Sequence, residues 1–219
     1  RNNFLIMFYY FKDKNCLKVF KNRKEQIGIV KRKIHVDSDN FFRMLKKIPF
    51  SVAGKVYKDN TKQNIEFLLK NIIPGNIKNI PFYQKWIEDM SSICKTFISF
   101  EGNESLSFWL GSDRGCKRFH IDMVSFRLLV TYAGQGTELL PNEAANREAF
   151  VKGKSNQDII KDKSALKYLN KWDIALFRGG DKGILHRTPD SALNGDSSIL
   201  MRLDYSSFLD EIIKINEVA

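Results

Sequence analysis

Apolar positions follow two rhythms along this chain, and the change falls near residue 102. From Thr61 to Ile72 the residues Ile65, Leu68, Leu69 and Ile72 form one stripe at helical spacing, with Thr61 placed to cap and Pro74-Gly75 to stop. A second helix is predicted from Pro81 through YQKWIEDMSSICKTF, and a third over FFRMLKKI behind the capping run Asp37-Ser-Asp-Asn. The alternating stretch Gln26 to His35 reads as a strand among these helices. Beyond Gly102 the rhythm shortens to segments of β-formers, LSFWLG, FRLLVTY, DIALFRG, GILHR and SILMRLDY, separated by Gly, Asn, Asp and Pro.

The expected class is therefore α+β, with an antiparallel sandwich or small barrel in the second half. Residues 1–100 should form a mainly helical region packed on a β core built from 101–219. A polar stretch at about 142–169 reads as a helical or irregular insertion, and the whole as one compact unit. No internal repeat or low-complexity tract interrupts the pattern.

Composition narrows the class of protein. With 43% hydrophobic and 12% aromatic residues in 219, the chain can bury a real core. No apolar run approaches the roughly 20 residues of a membrane-spanning helix, and Phe4–Phe11 is too short and lacks a following cleavage site, so no membrane association is expected. The first residue is Arg, which reads as a start inside a longer chain. Cys16, Cys94 and Cys116 are odd in number and widely spaced, which fits neither a disulfide framework nor a four-cysteine zinc site and points to a reducing, cytoplasmic setting.

The net charge of +11 is concentrated in residues 1–100, which hold 20 Lys/Arg against 8 Asp/Glu. A basic half of this kind fits an anionic or nucleic-acid partner, but also a Lys-rich chain with well-solvated faces. The lysines are scattered and lack interleaved aromatics, which favours the second reading.

Candidate chemistry sits at the head of FRLLVTY. His120 and Asp122, at i and i+2, share a face if the segment is extended, so imidazole and carboxylate converge. A lone His-x-Asp is often a satisfied pair and nothing more. A non-haem Fe(II) site needs two histidines and one carboxylate on one side of the metal, leaving the opposite positions open. His186, in GILHRTP, is the remaining histidine in the β-rich half; His35 reads as a structural or surface residue. A 2-oxo dicarboxylate co-substrate would further need a fixed bidentate cation for its far end, which favours Arg over Lys. Arg202 is placed for that if the strands around 186 and 202 form a hairpin centred near residue 194. It could equally be a surface arginine.

These elements, in order, are His120-Ile-Asp122, Gly136-Thr-Glu-Leu-Leu-Pro141, Trp172-Asp-Ile-Ala-Leu-Phe177, His186-Arg-Thr-Pro189 and Arg202. The order resembles the double-stranded β-helix, or jelly roll, of Fe(II)/2-oxoglutarate-dependent oxygenases. More closely, CKRFHID, RLLVTYAGQGTELLP and LHRTPDS resemble an uncharacterised bacterial family of unknown function, over roughly residues 26–205. The oxygenase resemblance implies His120, Asp122 and His186 as iron ligands and Arg202 as the anchor for 2-oxoglutarate. Tyr132 falls where several such enzymes bind the co-substrate, or else is a core aromatic, and Arg127 is a rival anchor. Five positions separate these two, so a regular strand puts them on opposite faces. Arg187 and Cys116 depart from the pattern, and Cys116 reads as a buried structural thiol or as a ligand of a softer metal such as zinc. Two other functions fit the same residues: a non-catalytic β-sandwich that binds a metal or small ligand, and a nucleic-acid-associated protein using the basic half.

Overall fold

A computed structural model describes residues 7–218. Of the early apolar stretch at 4–11, the first three residues lie outside that range. The strands are β1 (Phe8–Tyr10), β2 (Ile27–Val30), β3 (Ser51–Tyr57), β4 (Ser105–Gly111), β5 (Phe126–Ala133), β6 (Glu138–Leu140), β7 (Lys167–Tyr168), β8 (Ile174–Arg178), β9 (Leu185–Arg187) and β10 (Ile199–Asp204). The helices are α1 (Ser38–Leu45), α2 (Thr61–Leu69), α3 (Gly75–Lys78), α4 (Phe82–Glu101), α5 (Arg147–Val151), α6 (Asn156–Ile159), α7 (Asp190–Leu193) and α8 (Phe208–Val218). None of them is long and apolar enough to cross a membrane.

Seven strands form one sheet in the order β1-β2-β8-β5-β10-β4-β3, and three form a second in the order β7-β6-β9. All pairings are antiparallel except β1 with β2. The fold is α+β, as the two rhythms predict, and every β-former segment noted after Gly102 is a strand. The first hundred residues do more than pack on this core. Their strands β1, β2 and β3 complete both edges of the large sheet, so one sheet runs through the expected boundary at residue 100.

The period of two along each central strand separates two cores. Leu128, Val130 and Tyr132 of β5, Ile174 and Leu176 of β8, and Met201 and Leu203 of β10 face α1, α2 and α4 in the main core. Leu129, Ala175, Phe177 and Leu200 point the other way and pack with Leu139 of the small sheet and Ile184 just before β9. Outside the small sheet, the 142–169 insertion closes a third cluster around Phe119, Leu140, Ala149 and Leu185. The order is helices, large sheet, small sheet, insertion.

Tyr132 is the first correction. Its ring is fully buried among Phe42, Trp86 and Trp172, and its hydroxyl donates to Asp89 Oδ2 at 2.7 Å. It belongs to the helix-side core, and a co-substrate between the sheets cannot reach it.

The hairpin expected between 186 and 202 does not form either. The intervening turn carries α7, β9 joins the small sheet and β10 the large one, so the two residues face each other across the sandwich.

The connection from β8 toward β9 is pressed against the chain that precedes β5. Gly179 N–H donates to Ser125 O at 3.1 Å and Gly180 N–H to Asp122 O at 2.7 Å. A Cβ on Gly179 would overlap the carbonyl oxygens of Val124 and Asp122. Gly179→Ala is therefore expected to cost about 1–3 kcal/mol in urea unfolding, the usual penalty for overpacking. A wild-type unfolding midpoint would show that this contact does not constrain the loop.

Candidate metal centre

The segment Arg118–Tyr132 is not the single strand its composition suggests. β5 begins only at Phe126, and His120 forms an isolated antiparallel bridge with His186. The two residues exchange both backbone hydrogen bonds, at 3.0 Å each. Because β9 pairs on its other side with β6, His120 extends the small sheet by one residue. Directly opposed residues carry their side chains on the same face, and the imidazole centroids lie 4.4 Å apart. His120 and His186 are thus brought together by cross-strand pairing, while Asp122 arrives from the loop that follows.

Ligand atoms of His120, Asp122 and His186 all lie within 4.8 Å of one another. Their protonation follows from their neighbours. His120 Nδ1 is 3.0 Å from Arg118 O, and His186 Nδ1 is 3.0 Å from Ile184 O. A carbonyl only accepts, so each Nδ1 carries a hydrogen and Nε2 is the ring nitrogen left for a ligand. Burial pulls the His186 pKa down to about 4, so this ring is neutral at physiological pH.

Asp122 completes the set. Its side chain is 2% exposed, and one oxygen accepts from Arg127. The other, Oδ2, has no hydrogen-bond donor and lies 3.5 Å from His186 Nε2. Two acceptors therefore face each other in a buried space. An unmet buried acceptor costs about 1–3 kcal/mol. A divalent cation satisfies the carboxylate oxygen and both Nε2 lone pairs together, so the residues present fit a metal ion.

Arg127 and Arg202 stand beside this group with different commitments. Arg127 Nε donates to Asp204 Oδ1 at 2.7 Å while a terminal nitrogen holds Asp122. Burial alone would lower its pKa, but the two carboxylates hold it above its ordinary value. It is not a free anchor, which corrects the rival expectation: Arg127 orients Asp122. Arg202 Nε lies 3.0 Å from Asp204 Oδ2 without alignment to donate to it, and its guanidinium sits over Trp109 and Phe208. Burial lowers its pKa, with Asp204 offsetting only part of that. No hydrogen bond occupies its terminal nitrogens among the described residues.

A cavity of about 220 Å³ joins these groups, bordered by His120, His186, Arg114, Arg127, Arg202 and Trp109 among others. Cys116 also borders it, but is exposed, lies in a loop and stands outside the ligand group, so it is neither a buried thiol nor a strand neighbour of His120. His35 lies elsewhere, packed on Phe82 beside Asp37. Sequence reasoning missed Asp204 and Arg114. Nothing local marks Asp204, whose partner Arg127 is 77 positions away.

The chain belongs to the family described as "Protein of unknown function (DUF1826)". That family's model matches residues 12–204. Comparison with curated proteins finds no match. Among solved structures, the chain is similar to a "Putative oxygenase" from Shewanella oneidensis, at 11% identity and a TM-score of 0.42, with 98% of each chain covered. It is also similar to a "putative 2OG-Fe(II) oxygenase family protein" from Caulobacter crescentus, at 11% identity and a TM-score of 0.32, with 94% of this chain and 88% of that one covered. Both are similarities only.

The depressed His186 pKa sets a pH dependence. The folded state holds the ring neutral to about pH 4, whereas the unfolded ring takes up its proton near 6.5. Stability from this group is therefore complete above about pH 6.5 and is lost as pH falls toward 4. Metal-free wild type should lose up to about 3 kcal/mol more than His186→Gln over that interval, measured by urea unfolding. Parallel curves would show that His186 is not held neutral.

Proposed function

We propose that this DUF1826 chain is a non-haem Fe(II)- and 2-oxoglutarate-dependent oxygenase of the hydroxylase or demethylase type, built on a double-stranded β-helix core. The observation that carries the proposal is the unpartnered Asp122 Oδ2 facing Nε2 of His186, with a ligand nitrogen of His120 in the same group. Two histidines and one carboxylate, with no thiolate in the group, are the donor set that suits Fe(II) with positions left open. The order of the five motifs supports the same reading.

When bound, iron supplies the activation of dioxygen that couples oxidative decarboxylation of 2-oxoglutarate to oxidation of a substrate C–H bond. The chain's own residues prepare the site for this. His120, Asp122 and His186 would hold the ion. Arg127 donates to one oxygen of Asp122 and leaves the other turned toward His186. The backbone acceptors Arg118 O and Ile184 O fix the tautomer of each ring. Arg202, with its terminal nitrogens free, pairs with the far carboxylate of the co-substrate. Leu129 and Leu200 contribute apolar surface to the cavity and limit water beside the reacting centre.

Anaerobic titration of metal-free protein with Fe(II) and then 2-oxoglutarate should produce the visible charge-transfer band of the chelate in wild type and none in His186→Ala. Iron binding without a band in wild type would remove 2-oxoglutarate from the reading. Asp122→Ala should cost more than the roughly 10–100-fold in metal affinity that follows loss of an outer-shell partner. Arg202→Gln should weaken 2-oxoglutarate binding about tenfold or more while iron still binds, since charge-assisted hydrogen bonds are worth about 1.5–3 kcal/mol. Unchanged affinity would place the anchor elsewhere.

A further inference from the structure

Four arginines border the cavity, and their charges are accounted for unequally. Arg127 is held by Asp122 and Asp204. Arg187 is held by Glu138 and Asp190. Arg202 has Asp204 beside it. Arg114 has no carboxylate within ion-pair distance among the described residues. Its partners are two hydroxyls: one terminal nitrogen donates to Ser198 Oγ at 2.9 Å and the other to Thr137 Oγ1 at 3.3 Å.

This arrangement is built. Ser198 and Thr137 are buried, at 0% and 2% exposure, and come from different parts of the chain. Ser198 precedes β10, Thr137 precedes β6, and Arg114 lies in the loop after β4. Two neutral hydroxyls orient a guanidinium without cancelling its charge. Burial draws the Arg114 pKa down to about 10, the mark of a cation short of counter-charge. Other arginines without carboxylate partners end differently: Arg178 donates to the carbonyls of Phe20, Arg23 and Glu25, and Arg147 to Gly183 O and Asn142 Oδ1. Neither of those borders this cavity.

We propose that Arg114, held by Ser198 and Thr137, is a second anion-binding residue of this cavity and takes a carboxylate or phosphate group of the molecule to be oxidised. Calling that molecule the substrate rests on the oxygenase reading; the anion site itself does not. Arg114 lies in the loop after β4 and is tied to Ser198 ahead of β10, whereas Arg202 lies within β10 and has Asp204 beside it, so the two guanidiniums are held at the cavity by different partners. On the proposed reading a small dicarboxylate anchored on Arg202 leaves Arg114, with its charge uncancelled, for a second anion. The substrate class is anionic, with its charged group set apart from the C–H bond presented to the metal.

The test uses inorganic phosphate as the probe, titrated into anaerobic Fe(II)-loaded protein with and without saturating 2-oxoglutarate and followed by calorimetry. Wild type should bind phosphate in both states. Arg114→Gln should weaken phosphate about tenfold or more, Arg114→Lys should retain part of the binding, and 2-oxoglutarate affinity should stay within about twofold. In wild type, phosphate should also protect Arg114 from phenylglyoxal modification, read by peptide mass, so a variant that fails to fold does not end the test. Three results overturn the proposal: no phosphate binding in wild type, equal phosphate binding in wild type and Arg114→Gln, or 2-oxoglutarate affinity that collapses in Arg114→Gln. Arg114-dependent phosphate binding in a wild type that ignores 2-oxoglutarate would keep the anion site and remove the oxygenase reading.

Discussion

A carboxylate buried at Asp122 has two oxygens to satisfy, and the protein supplies a donor for only one. Arg127 takes Oδ1, while Oδ2 is left against the lone-pair side of His186. Every neighbouring feature is consistent with keeping that oxygen unmet until a cation arrives. The two Nδ1 hydrogens are directed to backbone carbonyls and cannot turn inward. Gly179 and Gly180 donate to Ser125 O and Asp122 O and tie down the backbone that carries the carboxylate. An isolated buried ion of this sort would be strongly destabilising, and Arg127 is what makes it tolerable. The site is thus a local defect in polar satisfaction, held in place by a well-satisfied surround.

The layering explains why the defect can exist in a stable chain. The large sheet buries Leu128, Val130 and Tyr132 of β5 against the helices, a core that includes Trp86 and Phe97 and does not border the cavity. The opposite face of the same strand carries Leu129 and Arg127 toward the small sheet. Packing and site chemistry therefore occupy alternate residues of one strand. A one-residue slip in β5 would exchange Arg127 for an apolar neighbour and drive charge into the helix-side core. The large core fixes the register, and the register fixes which side chains reach the cavity.

What could be read from the sequence follows the range of the interactions concerned. The five β-former segments and the helices α1, α2 and α4 were legible because their periodicity is local. His120, Asp122 and His186 were legible as residue types in an order that resembles a known pattern, in a chain with three histidines. Their geometry was not: the strand expected at His120 is a single bridge, since its pairing comes from β9, 66 residues later. β1 has three residues and β6 three, too few for an alternating pattern to emerge. The 186–202 hairpin failed because consecutive strands pass to different sheets, a choice that no turn residue encodes. Arg127 could be misread as a free anchor because its second carboxylate, Asp204, is joined to it only by β5–β10 pairing.

Asp204 also links the two ends of the proposed site. Its carboxylate lies between Arg127 and Arg202, and burial raises its pKa despite both of them. One carboxylate cannot fully neutralise two guanidiniums, so their demands compete. With Asp122 free, Arg127 divides its hydrogen bonds between Asp122 and Asp204. On the proposed reading, a dication that drew on the charge of Asp122 would leave Arg127 to lean more on Asp204, and Arg202 with less counter-charge. A carboxylate arriving at Arg202 would then meet a cation with more charge left to pair. On the proposed reading, metal and co-substrate would favour each other through the Asp122–Arg127–Asp204–Arg202 chain.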